Sequence, residues 1–144
     1  MKIRKLTRKD FKEVYNIMKR EYGKKPYNEK WTWKNGLKTL NYYFKIGEGY
    51  VALIDDKIVG FIIAIKEYYN EGAGFVIEEL AIDSNYQKQG IGKKLMEKME
   101  SKAKNAKAKY IYLTTSKNAP AFKFYKKMGY IPSKKTVYFR KELR

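Results

Sequence analysis

A chain of 144 residues that is 44% hydrophobic and 16% aromatic has the size of one domain and can bury a core, which excludes a disordered chain. It contains no Cys and no His, so disulfides, thiol nucleophiles, cysteine-ligated zinc and histidine bases are excluded, and we expect no bound metal. No apolar run approaches the roughly 20 residues of a membrane span, and the basic N-terminus is not followed by the apolar stretch of a signal peptide. We therefore expect a single cytoplasmic domain over residues 1–144 that does not bind membranes. Its net charge is +18.

Hydrophobic spacing predicts four strands, two helices and two turns in the first 82 residues. Thr7 is placed to cap the first helix, and Gly23 to end it. The last of these strands is apolar on both faces, which is typical of a central position in a sheet. In chain order the predicted elements are a strand (2–6), a helix (9–22), a helix (33–45), a hairpin of two strands (50–54 and 58–65), a turn (67–74) and a strand (75–82).

The second half continues the alternation of helix and strand. Asn118 is placed to cap the final helix, with Pro120 in its first turn and Gly129 as its stop. The strand–helix–strand unit over residues 76–113 predicts a right-handed parallel crossover, and the full order predicts an α/β (α+β) domain with a mixed sheet. The predicted elements are a helix (90–105), a strand (109–114), a short helix after residue 118 and a last strand (136–140).

The positive charge is concentrated in the C-terminal part of the sequence. Residues 1–83 hold 16 Lys and Arg against 12 Asp and Glu, whereas residues 84–144 hold 17 against 3. Such an excess attracts an anion, which leaves nucleic acid, an anionic surface and a small polyphosphate as partners. Of the 33 basic residues 28 are Lys, whereas a reader of duplex DNA favours Arg. A lysine-rich solvated surface is the alternative interpretation.

The step out of the strand at residues 75–82 contains the strongest local motif, in which Gly90 and Gly92 open a helix. Amides at a helix N-terminus bind phosphate oxygens, and a Cβ would hold the phosphate away from the backbone. A dinucleotide-binding fingerprint is excluded because Leu95 occupies its third glycine position, and a nucleotide P-loop because Lys94 stands where Ser or Thr is required. By itself, a Gly-x-Gly pair is also compatible with a plain helix start.

In its context this loop resembles a known family. The pattern Gln87-x-x-Gly90-x-Gly92, preceded by Tyr86 and a Leu-Ala-Ile strand, resembles the pyrophosphate loop of the GNAT superfamily of acyl-CoA-dependent N-acyltransferases. Ser84 stands where many members have Pro. That departure affects loop stiffness and puts no chemistry in doubt.

A second block, residues 118–130, resembles the family's Asn-x-x-Ala-x-x-Phe-Tyr-x-x-x-Gly-Phe segment, with Tyr130 in place of the usual Phe. Together with the two N-terminal helices and the hairpin, the resemblance extends over essentially the whole chain. It implies a GNAT-like fold, in which helices flank a mixed, mostly antiparallel central sheet and a strand–helix–strand unit binds acetyl-CoA.

The resemblance implies acetyl-CoA as cosubstrate. Backbone groups of the strand would pair with the pantetheine arm, loop amides would cradle the pyrophosphate, and Asn118 would hydrogen-bond the pantetheine. The cofactor-binding residues implied in this way are Leu80, Ala81, Ile82, Gln87, Lys88, Gln89, Gly90, Ile91, Gly92, Lys93 and Asn118.

Acetyl transfer to a primary amine requires an acid for the leaving thiolate and a base for the ammonium. The resemblance places Tyr125 near the sulfur, and a phenol with a pKa of about 10 can protonate a thiolate whose acid has a pKa of about 8.5. Glu78 and Glu79 interrupt an apolar strand, where desolvation raises the pKa of a carboxylate. Because strand neighbours point to opposite faces, at most one of the two readily faces the acceptor. Some relatives that acetylate polyamines and other small amines have a similar Glu-acidic-apolar-apolar-apolar strand, and this resemblance implies Glu78 as the base, directly or through water, with a structural ion pair as the alternative.

The identity of the amine is left open. In this family it is set mainly by the first helices and the hairpin, here residues 22–33 and 67–74. The first segment is aromatic and basic, whereas the two strand carboxylates suit a cationic amine, so a peptide N-terminus, a polyamine-like amine and an amino-sugar all stay candidates.

Two other functions and a homodimer also stay open. One is a non-enzymatic nucleic-acid binder, although no helix-turn-helix, zinc finger or aromatic RNA-binding strand is apparent and specific nucleic-acid binding is not expected. The other is a catalytically silent sensor of acyl-CoA.

Overall fold

The computed structural model describes residues 1–143. Contacts between Cα atoms divide the chain into two compact units, Met1–Thr114 and Thr115–Arg144. The expectation of one domain over residues 1–144 stays a prediction. No helix within residues 1–143 is long and apolar enough to cross a membrane.

The first unit contains one five-stranded sheet in the order β1-β2-β3-β4-β5. All neighbouring strands are antiparallel except β4 and β5, which run parallel. The mixed, mostly antiparallel sheet with flanking helices is therefore confirmed, with β4 an interior strand. The elements are β1 (Lys2–Lys5), α1 (Phe11–Tyr22), α2 (Trp33–Ile46), β2 (Gly47–Ile54), β3 (Lys57–Tyr69), β4 (Gly72–Ile82), α3 (Ile91–Asn105) and β5 (Tyr110–Tyr112), with 3-10 turns at Arg8–Asp10 and Ser84–Tyr86.

Three helices pack their apolar stripes on this sheet. Helices α1 and α2 join sheet residues such as Phe61 and Ile63 in one buried cluster. Helix α3 contacts β2, β3 and β4 and buries Leu95 and Met99, as its four-residue spacing predicts. Burial of these stripes holds β4 between its neighbours.

The predicted turn over residues 67–74 is wrong, because β3 continues to Tyr69 and β4 already begins at Gly72. Gly72, with φ +125, closes the short turn. Gly74 lies inside β4, where an added Cβ would come within 3.0 Å of the rings of Tyr69 and Tyr110. Two glycines close together predict a long turn. Only Gly72 belongs to the turn, whereas Gly74 lies in β4 because the rings of Tyr69 and Tyr110 leave no room for a side chain.

The second unit contains α4 (Pro120–Lys127), which ends before Gly129 with φ +92. The prediction that Asn118 caps this helix is wrong, because Ala119 is the N-cap and Asn118 is exposed. Pro120 has no N–H, so the first turn has one donor fewer to satisfy. The backbone N–H of Asn118 donates to Ser116 Oγ at 3.1 Å.

The predicted last strand over residues 136–140 is also wrong for the described part of the chain, which contains no strand after β5. Val137, Tyr138 and Phe139 are 70%, 78% and 88% exposed. A run with high β-propensity becomes a strand only when a neighbouring strand pairs with it, and this run has no such pairing.

Candidate acyl-transfer site

A β-bulge lies in the middle of β4. Ile63 of β3 pairs with Glu79, but the next residue, Ala64, pairs with Ile77, so Glu78 is an extra residue without a partner in the register. A bulge turns the side chains of adjacent residues away from strict alternation. The expectation that Glu78 and Glu79 point to opposite faces is therefore wrong here.

Both carboxylates reach one phenol. The Tyr43 hydroxyl lies 3.4 Å from Glu78 Oε2 and 3.5 Å from Glu79 Oε2, in long hydrogen bonds. Burial, together with the charges of Glu79 and Glu78, raises the pKa of Tyr43, so this phenol stays protonated and donates. Tyr43 on α2 thus brings the two carboxylates together.

The two carboxylates differ in environment. Burial raises the pKa of Glu79 to about 7; a hydrogen bond from Tyr22 opposes this shift, and the charges of Glu29 and Glu78 add to it. Burial and the charge of Glu67 also raise the pKa of Glu78, against the Tyr43 hydrogen bond, but Glu78 is exposed. A carboxylate that titrates near neutrality has the protonation behaviour that general-base catalysis requires.

The strand edge that follows the bulge is open on one side. Strand β4 pairs with β3 as far as Ile82 but with β5 only from Gly74 to Val76. Residues 77–82 therefore have no partner strand on the β5 side in the described chain. This segment includes the predicted pantetheine-binding residues Leu80, Ala81 and Ile82. An open edge of this kind can pair with an extended ligand through backbone groups.

The loop from β4 to α3 ends in an unusual backbone. Lys88 has φ +63, and Gly90, the N-cap of α3, has φ +82 without a side-chain cap. The first helical bond runs from Lys94 N to Gly90 O at 3.1 Å, so the amides of residues 91–93 precede it. A Cβ at Gly90 would meet no atom within 4 Å, which leaves open space at this helix start.

Buried charges tie this loop to the end of α1. Glu21 is buried and accepts hydrogen bonds from the Ser84 amide and from Ser84 Oγ, each at 3.1 Å. Arg20 Nη2 lies 2.9 Å from the buried carboxylate of Asp83, and Lys24 Nζ 3.3 Å from Glu21. Position 84 therefore has a structural role that sequence comparison did not reveal, since Pro would supply neither of the two donors.

Further positions of the predicted cofactor loop lie around that network. The side-chain amide of Gln87 donates to the Ile82 carbonyl at 2.9 Å and so folds the loop back on the strand end. Lys88, Gln89 and Lys93 are exposed. Ile91 is buried, and Gly92 lies in the first turn of α3. The structure therefore leaves charged side chains and backbone amides accessible along the same loop.

Tyr125 and Asn118 belong to the second unit. Tyr125 is partly buried on α4, with its ring 5.1 Å from Phe124 and 6.0 Å from Tyr130, both edge-on. Tyr130, which replaces the family's usual Phe, therefore packs against the predicted acid.

No local sequence pattern marks Tyr43 as a functional residue. Its partners lie 35 and 36 residues away in the chain. Tyr43 also lines a cavity of about 430 Å³ together with Lys5, Leu6, Thr7, Leu40, Phe44, Gly47, Glu48, Gly49 and Ile63.

Comparison with known proteins identifies the family. The model of the Acetyltransferase (GNAT) family matches residues 11–130, and no functionally curated protein matches the chain. A possible acetyltransferase from Clostridium difficile 630 has 16% identity and a TM-score of 0.86 over 99% of this chain and 98% of its own. An aminoglycoside acetyltransferase, meta-AAC0020, from an uncultured soil metagenomic sample, in complex with sisomicin, has 25% identity and a TM-score of 0.78 over 99% of this chain and 96% of its own.

A third structure, AAC(6')-Iy in complex with the bisubstrate analog CoA-S-monomethyl-acetylneamine, has 16% identity and a TM-score of 0.79 over 99% of this chain and 98% of its own. These structures share the fold described above. Because the family model covers most of the sequence, the chain belongs to the acetyltransferase (GNAT) family.

Proposed function

We propose that this protein transfers an acetyl group from acetyl-CoA to a primary amine by direct transfer in a ternary complex. The observation that carries the proposal is the open edge of β4 at residues 77–82, which is followed after the loop of residues 83–89 by the helix start at Gly90 without a side-chain cap. Family membership supports it, as does the neighbour AAC(6')-Iy, whose structure contains a CoA bisubstrate analog.

The residues present fit acetyl-CoA. Backbone groups of Leu80, Ala81 and Ile82 would bind the pantetheine arm along the open edge. Amides of residues 87–93 would bind the pyrophosphate, where the empty space around Gly90 admits phosphate oxygens and exposed lysines add positive charge. Asn118 of the second unit would bind the pantetheine as well.

When bound, acetyl-CoA supplies an activated acetyl thioester. Tyr125 would donate its phenolic proton to the departing sulfur. The Glu78–Glu79 pair would accept the proton of the amine, directly or through water. The sequence favours Glu78, whereas the raised pKa of Glu79, about 7, supports Glu79 as the member that titrates in the working range.

Cofactor binding is tested with a pair of valine variants at glycines that both have a positive φ. Gly90→Val puts a β-branched residue at φ +82 in the cradle, and Gly72→Val puts one at φ +125 in the distant β3–β4 turn. Acetyl-CoA at about 100 times its Kd should add about 2.7 kcal/mol to the free energy of unfolding of the parent and of Gly72→Val, measured by denaturant titration. It should add nothing to that of Gly90→Val. Undiminished protection of a folded Gly90→Val would show that the cradle is assigned wrongly.

A further inference from the structure

Three tyrosines surround a carboxylate at the far end of the same sheet. The centroids of Tyr69 and Tyr110 lie 5.2 Å apart, and those of Tyr110 and Tyr112 6.4 Å apart. Tyr112 donates to Glu67 Oε2 at 3.0 Å, and the Tyr69 hydroxyl donates to the same oxygen. We call these four residues, Glu67, Tyr69, Tyr110 and Tyr112, the tyrosine box.

The sheet register assembles the tyrosine box across β4. Glu67 of β3 and Tyr110 of β5 both pair with Gly74. Because Gly74 has no side chain, the rings close over it, and an added Cβ would lie 3.0 Å from Tyr69 and from Tyr110. Side chains two residues apart on a strand share a face, so Tyr69 and Tyr112 lie on the same side as their neighbours in the box.

The tyrosine box lies on the same face as the Glu78–Glu79 pair. Ile63 is directly opposite Glu79 and four residues before Glu67, and β3 has no bulge between Ile63 and Glu67, so these side chains share one face. The charge of Glu67 contributes to the raised pKa of Glu78. The hydrogen bond with Tyr69 lowers the pKa of Tyr112, but burial, the hydrogen bond to Glu67 and the charges of Glu67 and Glu78 together raise that pKa above its ordinary value. The two groups of carboxylates are therefore within electrostatic reach of each other.

The chemistry of the tyrosine box suits an organic cation. Tyr69, Tyr110 and Tyr112 remain 38%, 38% and 39% exposed, so their rings are accessible. An ammonium is attracted by the faces of aromatic rings and by a neighbouring carboxylate. In a protein of net charge +18, such a local site is required to hold a cation close to the surface.

We propose that the tyrosine box binds a second, non-reacting cationic group of the acceptor, so that the preferred acceptor is an amine with at least two positive charges. The inference rests on the proposed function, in which Glu78 and Glu79 receive the reacting amine. It favours a polyamine-like amine or an amino-sugar with several amines over a peptide N-terminus without a second charge.

The test compares α,ω-diamines with n-alkylamines of equal chain length, over a series of lengths that brackets the separation of the Glu78–Glu79 pair from Glu67, about 13 Å for four residues of strand. The parent should show a kcat/KM about tenfold higher for its best diamine than for the matched monoamine, which corresponds to about 1.4 kcal/mol. Glu67→Gln and Tyr110→Leu should each bring that ratio close to one, mainly through the KM of the diamine.

Tyr68→Leu is the matched control. Tyr68 lies between Glu67 and Tyr69 on the opposite face, is 78% exposed and has Lys66 Nζ 5.2 Å from its ring centroid. This variant should keep the diamine preference of the parent. Equal use of diamines and monoamines by the parent, or an undiminished preference in both Glu67→Gln and Tyr110→Leu, would overturn the proposal.

The result is separable from failure of the proposed function. If no amine is acetylated, the proposed function fails, and calorimetric affinities of the best diamine and its monoamine decide about the tyrosine box. Tighter diamine binding that Glu67→Gln weakens about tenfold supports the box, and equal affinity of the two amines overturns it.

Discussion

Two adjacent carboxylates in one strand acquire different properties because a single residue is inserted at the bulge. Glu79 keeps its place in the register opposite Ile63 and is partly buried, which raises its pKa to about 7, whereas Glu78 is exposed. A carboxylate accepts a proton only when it is ionised, so acetyl transfer should accelerate as the pH rises through the pKa of the working base.

We therefore expect kcat/KM of the parent to rise with pH through an apparent pKa of about 7, with Glu79 as the titrating group. Glu79→Gln should abolish this rise of kcat/KM with pH, which we call the ascending limb of the pH profile, and lower the rate about 10²–10⁴-fold below pH 8. Glu78→Gln should keep the limb but move it to lower pH, because the charge of Glu78 contributes to the raised pKa of Glu79. Steady-state rates from pH 5.5 to about 9 measure both effects. Loss of the limb in Glu78→Gln and its retention in Glu79→Gln would assign the base to Glu78 instead.

Tyr125→Phe tests the proposed acid. The variant keeps the ring and its packing beside Phe124 and Tyr130 and removes only the phenolic proton. We expect kcat to fall about 10²–10⁴-fold while the affinity for acetyl-CoA changes little, as measured by steady-state kinetics and calorimetry. Phe124→Leu serves as a packing control. An unchanged kcat in Tyr125→Phe, with chemistry shown to limit turnover, would remove Tyr125 from the mechanism.

At the scale of elements, Ser84 in the loop before α3 donates two hydrogen bonds to the buried Glu21 of α1. Ser84→Pro should lower the free energy of unfolding by about 2 kcal/mol, because it removes the amide and hydroxyl donors of the buried Glu21. Ser84→Ala removes only the hydroxyl and should cost about half as much. Urea denaturation at neutral pH measures both changes. Equal stabilities of Ser84→Pro and Ser84→Ala would show that the amide of Ser84 contributes nothing.

The sequence predicts the elements that local patterns specify and misses those that long-range register specifies. Helix α3 follows from its four-residue apolar spacing, and its start follows from Gly90. The bulge at Glu78 has no such signal, because it results from the relative register of β3 and β4. For the same reason the two glycines after Tyr69 indicate a longer turn than the one that forms.

The candidate site divides in the same way. The cofactor loop is a contiguous motif, and its left-handed glycine could be expected from the sequence alone. Tyr43 on α2, in contrast, hydrogen-bonds to a carboxylate on β4 that lies 35 residues away in the chain. In the tyrosine box, Tyr112 on β5 hydrogen-bonds to Glu67 on β3, which lies 45 residues earlier. Side chains that converge only through tertiary packing leave no trace in local spacing.

At the scale of the whole molecule, the charge is distributed unevenly along the chain. Residues 84–144, with 17 Lys and Arg against 3 Asp and Glu, contain the loop that would bind the pyrophosphate of acetyl-CoA under the proposed function. The carboxylates Glu67, Glu78 and Glu79 lie on β3 and β4 instead, where a cationic amine would bind. Under the proposed function, this basic protein would therefore use lysine-rich segments for the anionic cosubstrate and strand carboxylates for the cationic acceptor.

The most direct measurement of the proposed acetyl transfer is a product-resolved assay with isotope-labelled acetyl-CoA and three amine classes: an α,ω-diamine, an aminoglycoside and a peptide with a free N-terminus. We expect labelled N-acetylated amine and free CoA thiol to appear in equal amounts with at least one class, and neither to appear with Gly90→Val. Binding of acetyl-CoA by the parent without acetylated product from any class would contradict the account and indicate a silent acyl-CoA sensor.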